Sequence, residues 1–399
     1  MMNRRLDYSL ITDLQRMKKY YKNSAGGVIA LLLALYCSTG LSERRSDVAV
    51  SRFTTQADLD QLRWEAITDL HQSINGILVS RDGRVSVSDS NTWPMKSIVD
   101  AAHGNSSNIL VPLHISSKAD AAAFLSSPVN RQRLASTAEQ AISLAITAGY
   151  DGLVLDIEGL KYASKPGYEA FVEACASALH AKDPAKKLLV TVYAPQLLNN
   201  AIQWSAYNIS LLSKTADFVF IMGYDMTWLG AKGGSGAKEA GPNSPLDGLS
   251  AVLKNSVHRW GATPSKLILG LPAYGDLYTC DGDSPPAFGN CSTRSQKKKK
   301  SVDILAAAAT GSNCIQGFDP QAFSPFFDCA DGAHLPGSGA RGVRQQGWFE
   351  NLKSMNAKLD LASSFRLGGV GLWTGGGILD SGAGKDIWNA FVRFLNSNH

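Results

Sequence analysis

The sequence predicts an α/β fold, a closed (β/α)8 TIM barrel with a disulfide-containing insertion after strand 7. From about residue 47 onward, short runs rich in β-branched residues alternate with Ala-rich helical patterns, which is typical of βαβ units and a parallel sheet. The runs number eight, and no Gly-rich phosphate loop follows the first of them, as would be expected in an open doubly wound sheet. An open sheet is therefore the less favoured alternative.

The predicted strands are short and are separated by helical patterns. Helices are predicted, for example, over residues 131–149 and 168–181. The interval between the last two strands is too long for one helix and its loops, so we expect an insertion there, on the face where the strands end. The eight predicted strands are residues 47–53, 74–80, 108–115, 152–158, 187–195, 217–225, 266–275 and 368–374.

The insertion is predicted to contain disulfides. It holds four of the six cysteines of the chain, Cys280, Cys291, Cys314 and Cys329, in a stretch rich in Gly, Pro and Ser. Clustered cysteines in such a stretch are typical of disulfides. Of the pairings that four cysteines allow, the simplest joins Cys280 to Cys291 and Cys314 to Cys329. A zinc site is the alternative, but the stretch has no C-x2-C pair. The lysine run at residues 297–300 is predicted to be a solvated loop tip.

Residues 1–41 are predicted to be an N-terminal signal peptide or signal anchor ahead of a barrel over residues 42–399. The first 24 residues hold six Lys or Arg and two Asp, so they carry most of the formal net charge of +5. Residues 28–36 then form an apolar run, shorter than the roughly 20 residues that cross a bilayer. We therefore expect entry into the secretory pathway, with delivery to a lysosome, a vacuole or the extracellular space.

The rest of the chain is nearly neutral. It gives no electrostatic reason to expect a nucleic-acid partner. We likewise expect no membrane partner beyond the possible N-terminal anchor.

The fourth predicted strand ends in acidic residues. In Tyr-Asp-Gly-Leu-Val-Leu-Asp-Ile-Glu, residues 150–158, the side chains of Val154, Asp156 and Glu158 share one face, and the leucines share the other. The leucine face is expected to meet the helices, and the acidic face to look into the barrel. Barrel enzymes place catalysis at the carboxyl ends of their strands, and buried carboxylates are costly without a purpose. The pair therefore indicates catalysis, the alternative being two acids that neighbouring donors satisfy.

The same run resembles the fourth-strand signature of glycoside hydrolase family 18, Asp-Gly-x-Asp-x-Asp-x-Glu. Asp151, Gly152, Asp156 and Glu158 match it, and Val154 stands where the family has its middle Asp. The similarity covers about residues 50–395, and within the family it is strongest to the di-N-acetylchitobiase type. It extends to Phe-Ile-Met-Gly-Tyr-Asp-Met at residues 220–226, Ile-Leu-Gly-Leu-Pro-Ala-Tyr-Gly at 268–275, Trp-Phe-Glu-Asn at 348–351 and Gly-Val-Gly-Leu-Trp-Thr at 369–374.

The resemblance implies a retaining, substrate-assisted glycosidase that hydrolyses β-1,4-linked N-acetylglucosamine in chitobiose cores or short chito-oligosaccharides. Glu158 would protonate the glycosidic oxygen, and the acetamido oxygen of the sugar would attack the anomeric carbon. Asp156 would orient the acetamide and balance the positive charge on its nitrogen. Tyr224 would donate a hydrogen bond to the acetamido oxygen.

The resemblance also implies a sugar-binding subsite and the partner that fills it. That partner is an oligosaccharide containing N-acetylglucosamine, and no metal or organic cofactor is expected, because carboxylates, a phenol and the substrate's own amide suffice. Trp373 would stack on the apolar face of the sugar. The residues predicted to bind substrate are Asp225, Met222, Trp373 and Tyr193, with Tyr274, Trp228 and Trp348 as weaker candidates.

Val154 is the departure from the family pattern. A valine cannot hydrogen-bond, so Asp156 is expected to lose one partner, with lower activity or a shifted pH optimum as the result. One alternative function is a chitinase-like lectin without turnover, which the presence of Glu158, Asp156 and Tyr224 makes less favoured. The other is an endo-acting chitinase, which would prefer long substrates.

Overall fold

A computed structural model describes the chain in residues 44–50, 59–73, 75–126, 128–194, 206–227, 239–280, 291, 293–300, 314–329, 344–378 and 382–397. These residues belong to one unit, Arg44–His399. The predicted N-terminal segment at residues 1–41 and its boundary lie outside the described residues.

Strands in the described ranges form two sheets. They are β1 (Arg45–Val50), β2 (Asp69–Gln72), β3 (Ile77–Val79), β4 (Val85–Val87), β5 (Asn108–Ile115), β6 (Gly152–Leu155), β7 (Lys187–Tyr193), β8 (Phe218–Met222), β9 (Leu267–Pro272), β10 (Tyr274–Cys280), β11 (Thr293–Lys300), β12 (Cys314–Asp319), β13 (Ser324–Cys329), β14 (Gln345–Trp348) and β15 (Gly369–Trp373).

Eight parallel strands close into a barrel. Strand β1 pairs with β2, β2 with β5, and the order then runs through β6, β7, β8 and β9. Strand β15 pairs with both β9 and β1, which closes the ring. The predicted (β/α)8 TIM barrel is therefore confirmed.

Amphipathic helices follow the strands and cover the barrel. Side-chain caps fix several of their first turns, because Asn130 accepts a hydrogen bond from Arg133 N, and Asn351 and Ser354 form a capping box. The described helices are α1 (Lys96–Gly104), α2 (Lys118–Phe124), α3 (Arg131–Thr147), α4 (Lys165–Lys182), α5 (Ile209–Thr215), α6 (Leu246–Lys254), α7 (Leu352–Ser364) and α8 (Gly382–Asn396). No helix in the described part of the chain is long and apolar enough to cross a membrane.

Strand β6 shows the alternation that its sequence predicts. Leu153 and Leu155 are fully buried in the large core cluster between the strands and the helices. Val154 points the other way, into a second apolar cluster inside the barrel that also contains Leu110 and Phe220. Beyond the strand, Asp156 N still donates to Leu113 O, so the acidic residues continue from the end of β6.

The start of β6 explains why Asp-Gly precedes it. Asp151 accepts hydrogen bonds from Lys186 Nζ at 2.9 Å and from Ile109 N at 3.0 Å, and so joins the strands on either side. Burial raises the pKa of Asp151, but the bonds from Lys186, His103 and Ile109 outweigh it and hold the pKa below its ordinary value. A Cβ on Gly152 would lie 1.9 Å from Lys187 O, so β6 and β7 approach closely only with glycine there. Asp151 and Gly152 therefore have structural roles at the opposite end of the strand from Glu158.

The second predicted strand is only partly right. Residues 74–80 were expected to form it, but the barrel strand is β2, which lies earlier at Asp69–Gln72. Strand β3 continues from it after a break and pairs with β5 further along. Three of the four residues in Asp-Leu-His-Gln are polar, although all four are buried. Hydrophobic periodicity therefore does not reveal this strand.

The insertion after β9 is a five-stranded antiparallel sheet in the order β11-β10-β14-β13-β12. The predicted disulfides Cys280–Cys291 and Cys314–Cys329 are both present. The seventh predicted strand, residues 266–275, spans two strands, because β9 ends at Pro272 and β10 begins at Tyr274. The lysine run at 297–300 belongs to β11, paired with β10, so the predicted loop tip is wrong.

Candidate active site

One pocket at the carboxyl ends of the barrel strands contains all seven residues predicted as catalytic or as the main substrate contacts. Its volume is about 200 Å³. Its lining includes the predicted catalytic residues Glu158, Asp156 and Tyr224 and the predicted substrate-binding residues Asp225, Met222, Trp373 and Tyr193. These seven come from four strand ends, as expected for a barrel enzyme.

Asp156 lies just past β6 and is partly buried. Its Oδ1 accepts a hydrogen bond of 2.7 Å from Thr191 Oγ1 on β7. His114 Nδ1, on β5, lies 3.9 Å from Oδ2 and also contacts the backbone oxygen of Asp156. Val154 is 1% exposed among apolar side chains and offers Asp156 no polar partner.

Glu158 lies at the mouth of the pocket, where its Oε2 accepts a hydrogen bond from the hydroxyl of Tyr193. The residue as a whole is exposed, but protein atoms crowd its carboxyl group. This loss of hydration, followed by the negative charge of Asp156, raises the pKa of Glu158 above its ordinary value, while Tyr193 and His114 oppose the rise. A carboxyl with a raised pKa stays protonated in mildly acidic solution, as a general acid must.

Aromatic rings form the floor of the pocket. Trp373 at the end of β15 is partly exposed and stacks on Tyr224, with ring centroids 6.2 Å apart and an interplanar angle of 24°. Tyr224 is 7% exposed, and burial raises its pKa well above the ordinary value, so its hydroxyl remains a donor. The floor can therefore present an apolar face and one phenolic donor to a sugar.

Asp225 is held by its neighbours at the edge of the pocket. Its backbone has a φ of +55°, and its N–H donates to Asn243 Oδ1 at 2.6 Å. The hydroxyl of Tyr274 donates to Asp225 Oδ1 at 2.5 Å, so this weaker candidate contacts a predicted site residue.

Of the other two weaker candidates, Trp348 lies elsewhere. Trp348 is buried in the second sheet, where its ring stacks on Phe326 at 4.8 Å and its Nε1 donates to Gln346. It does not line the pocket and has a structural role. Trp228 lies outside the described residues.

The pocket also contains residues that the sequence analysis missed. Thr191 is the donor to Asp156, and His71, Gln72 and Ser73 follow one another at the end of β2. His71 Nδ1 lies 2.8 Å from Asp47 Oδ1 on β1. The signal for this pair was the run of polar residues in a buried strand, which the misplaced second strand concealed. Across the described ranges, no group of three or more His, Cys, Asp or Glu side chains is arranged to hold a metal ion.

A family model described as glycosyl hydrolases family 18 matches residues 48–377. The chain belongs to this family. The predicted resemblance is thus confirmed, and family membership agrees with two carboxylates at the end of the fourth barrel strand.

Relatives within the family include di-N-acetylchitobiases, which confirms the predicted likeness to that type. The chain is 28% identical over 219 residues to probable di-N-acetylchitobiase 1 of Dictyostelium discoideum, a match covering 50% of this chain and 55% of the relative. It is 26% identical over 258 residues to di-N-acetylchitobiase of Homo sapiens, covering 60% of this chain and 61% of the relative. The chain thus spans less than two thirds of either relative.

Solved structures of chitinases have the same fold. A chitinase from Chromobacterium violaceum superposes with a TM-score of 0.70 and 19% identity, covering 89% of this chain and 99% of that one. A family 18 chitinase from Cycas revoluta, in complex with (GlcNAc)3, superposes with a TM-score of 0.69 and 18% identity, covering 87% and 99%.

Proposed function

We propose that this family 18 member is a retaining, substrate-assisted glycosidase acting on short β-1,4-linked N-acetylglucosamine oligosaccharides. The names of its di-N-acetylchitobiase relatives support this substrate class. The observation that carries the proposal is the meeting of Glu158, Asp156 and Tyr224 around one small pocket with Trp373 in its floor. The pocket volume of about 200 Å³ lies below the usual range for drug-sized ligands, which favours a single sugar residue at the cleavage point.

The proposed reaction has two steps. In the first, Glu158 transfers its proton to the glycosidic oxygen while the acetamido oxygen attacks C1, so the C1–O bond breaks and the leaving sugar departs with the proton. Asp156 balances the positive charge of the resulting oxazolinium ion, and Tyr224 holds the acetamido oxygen. In the second step, the Glu158 carboxylate takes a proton from a water molecule that attacks C1. The bond between C1 and the acetamido oxygen breaks, which opens the oxazolinium ring and restores the acetamide. Two inversions at C1 give net retention.

The hydrogen bond from Tyr193 to Glu158 predicts a change in the pH profile. Because this bond lowers the pKa of Glu158, Tyr193→Phe should raise that pKa and extend the protonated form to higher pH. The alkaline limb of kcat/KM against pH should therefore move to higher pH, which a profile measured from pH 4 to 9 would detect. An alkaline limb that stays in place or moves to lower pH contradicts the assignment of Glu158 as the acid.

Trp373→Ala should remove the apolar face beneath the sugar. Losing the burial of one large side chain against substrate corresponds to a decrease of about 10- to 100-fold in kcat/KM. Steady-state kinetics on chito-oligosaccharides measure it, with Trp373→Phe as the matched variant that keeps an aromatic face and most of the activity. Equal losses in both variants would argue against stacking.

The proposal is tested by hydrolysis of N,N′-diacetylchitobiose and longer chito-oligosaccharides between pH 4 and 7, with Glu158→Gln as control. Cleavage that disappears in the variant supports the proposal, and the anomer released first, followed by NMR, reports retention. Preference for the disaccharide supports the chitobiase type, whereas preference for long chains favours an endo-acting chitinase. Binding without cleavage overturns the proposal in favour of a lectin.

We further propose that the chain enters the secretory pathway through residues 1–41 and acts in a lysosome, a vacuole or the extracellular space. The basic stretch and short apolar run in that segment support this. The two disulfides of the second sheet are also typical of an oxidising compartment. N-terminal sequencing of the protein recovered from its native compartment tests whether the segment is removed.

A further inference from the structure

Val154, the residue before Asp156 on the same face of the strand, gives Asp156 no hydrogen-bond partner. Val154 is buried in the apolar cluster inside the barrel, with Leu110, Leu189 and Phe220. The described contacts of the Asp156 carboxyl are with Thr191 and, at 3.9 Å, with His114. In the substrate-assisted reaction Asp156 has to be ionised, and a threonine hydroxyl alone is a modest stabiliser of that charge.

A buried ion pair lies in the wall of the same pocket. Asp47 on β1 is 0% exposed, His71 on β2 is 3% exposed, and His71 Nδ1 is 2.8 Å from Asp47 Oδ1. Removing two charged groups from water is costly and contributes little net stability, so such a pair is weakly explained by folding alone.

His71 is oriented by its neighbours as well as by Asp47. Its ring makes an edge contact with Phe220, with centroids 5.7 Å apart, and lies 6.2 Å from the ring of Trp373. Within the described part of the chain, its Nε2 has no hydrogen-bond partner. Since Nδ1 is engaged with Asp47 and the residue lines the pocket, Nε2 is the nitrogen that can serve the site.

We propose that the Asp47–His71 pair takes over the task of the acidic side chain missing at position 154, with His71 as a positioning residue that keeps Asp156 ionised and oriented toward the substrate amide. The inference rests on the proposed glycosidase function and adds to it the source of the charge that supports Asp156. It also explains how a valine is tolerated inside the signature of the fourth strand.

The charges around His71 agree with this role. Burial lowers the pKa of His71, but the carboxylates of Asp47, Asp156 and Asp69 together outweigh it, and the pKa lies above its ordinary value. Arg45 on β1 is a cation that acts on Asp47, and it is paired with Asp69 at 2.5 Å. Burial also raises the pKa of Asp47, and His71 opposes that rise. When protonated, His71 places a positive charge in the pocket that Asp156 also lines.

The test is the acid limb of kcat/KM against pH in His71→Gln. Removing the cation takes away the opposite charge that shares the pocket with Asp156, so the acid limb should move to higher pH. An opposite charge at close range usually has a large effect on a carboxyl group. We therefore expect kcat/KM of His71→Gln, relative to wild type, to be about tenfold lower at pH 4 than at pH 6.5. Val154→Asn in the His71→Gln background should restore much of the loss, because an amide can donate to Asp156. In the wild-type background the same change should have a smaller effect.

His180→Gln is the matched control. His180 pairs with Asp217 at 2.9 Å, and Asp217 also accepts from Leu188 N, so this pair lies at the opposite end of the barrel from the pocket. The acid limb of the His180→Gln variant should stay in place. Asp47→Asn removes the pair from its other side and should move the acid limb in the same direction as His71→Gln, so it carries the test if His71→Gln does not fold.

A direct readout separates this inference from the proposed function. The NMR signal of the Asp156 carboxyl carbon, recorded at the same pH in wild type and variants, should move toward the position of a protonated carboxyl in the variants, whether or not substrate turns over. If the wild type cleaves no N-acetylglucosamine substrate, the proposed function is wrong. If folded His71→Gln and Asp47→Asn leave both the carboxyl-carbon signal of Asp156 and the acid limb unchanged, the positioning role is wrong.

Discussion

Replacement of Glu158 by glutamine should lower kcat on chito-oligosaccharides by about 10³-fold, within the usual range for loss of a general acid. Glutamine has the same shape and can still accept the hydrogen bond from Tyr193, but it has no proton to give to the glycosidic oxygen. The fold should therefore be unaffected. Steady-state kinetics and the melting temperature, measured on the same preparation, check both parts of the expectation.

The leaving group gives a sharper form of the same experiment. A 4-nitrophenolate leaves without protonation, so the loss in Glu158→Gln should be much smaller on a 4-nitrophenyl glycoside than on the natural linkage. Equal losses on both substrates would mean that Glu158 is not the acid. Glu173→Gln is the matched control. Glu173 is an exposed residue on α4 that pairs with Arg131 on α3, so the variant should keep wild-type activity and stability.

The barrel was predictable because its outer core obeys hydrophobic periodicity. Strand β9 and the middle of β5 are apolar runs, buried on both faces as parallel strands in a barrel are. The prediction was wrong where polar residues are buried, as in β2, and where an insertion adds strands of unusual composition, as in β11. In both places tertiary pairing determines the structure more than local propensity does.

The site was predictable to the extent that strand ends converge. Asp156, Tyr224 and Trp373 belong to different strands, yet the carboxyl ends of parallel barrel strands all open on one face, which brings such residues together. The partners of these residues were not predictable. The bond from Thr191 to Asp156 and the pair of His71 with Asp47 depend on strand register, which a single sequence does not specify.

A second large effect is expected at a buried ion pair between the segment after β14 and helix α7. Glu350, in the Trp-Phe-Glu-Asn motif, and Lys358 on α7 are 1% and 0% exposed, and Lys358 Nζ donates to Glu350 Oε2. Lys358→Met keeps the shape of the side chain but leaves a buried carboxylate without its cation. We expect a loss of about 3–5 kcal/mol in the free energy of unfolding at pH 7. Reversible chemical denaturation measures it.

Lys353→Met is the matched control for this change. Lys353 lies on the same helix, is exposed, and has its ammonium 3.9 Å from the ring centroid of Phe318. Its loss should cost about 0.5–1 kcal/mol, as for an exposed cation–π contact.

The cost of Lys358→Met should depend on pH in a defined direction. Burial raises the pKa of Glu350, and Lys358 opposes the rise, so without Lys358 the folded-state pKa should be higher still. At a pH between the unfolded pKa and this raised pKa, Glu350 is protonated in the folded variant and ionised in the unfolded chain. The folded state binds more protons, so the stability of the variant falls as pH rises above the unfolded pKa. The difference from wild type should therefore shrink between pH 7 and pH 4.5. A loss that stays constant over that range would show that lost packing, rather than an uncompensated carboxylate, causes the destabilisation.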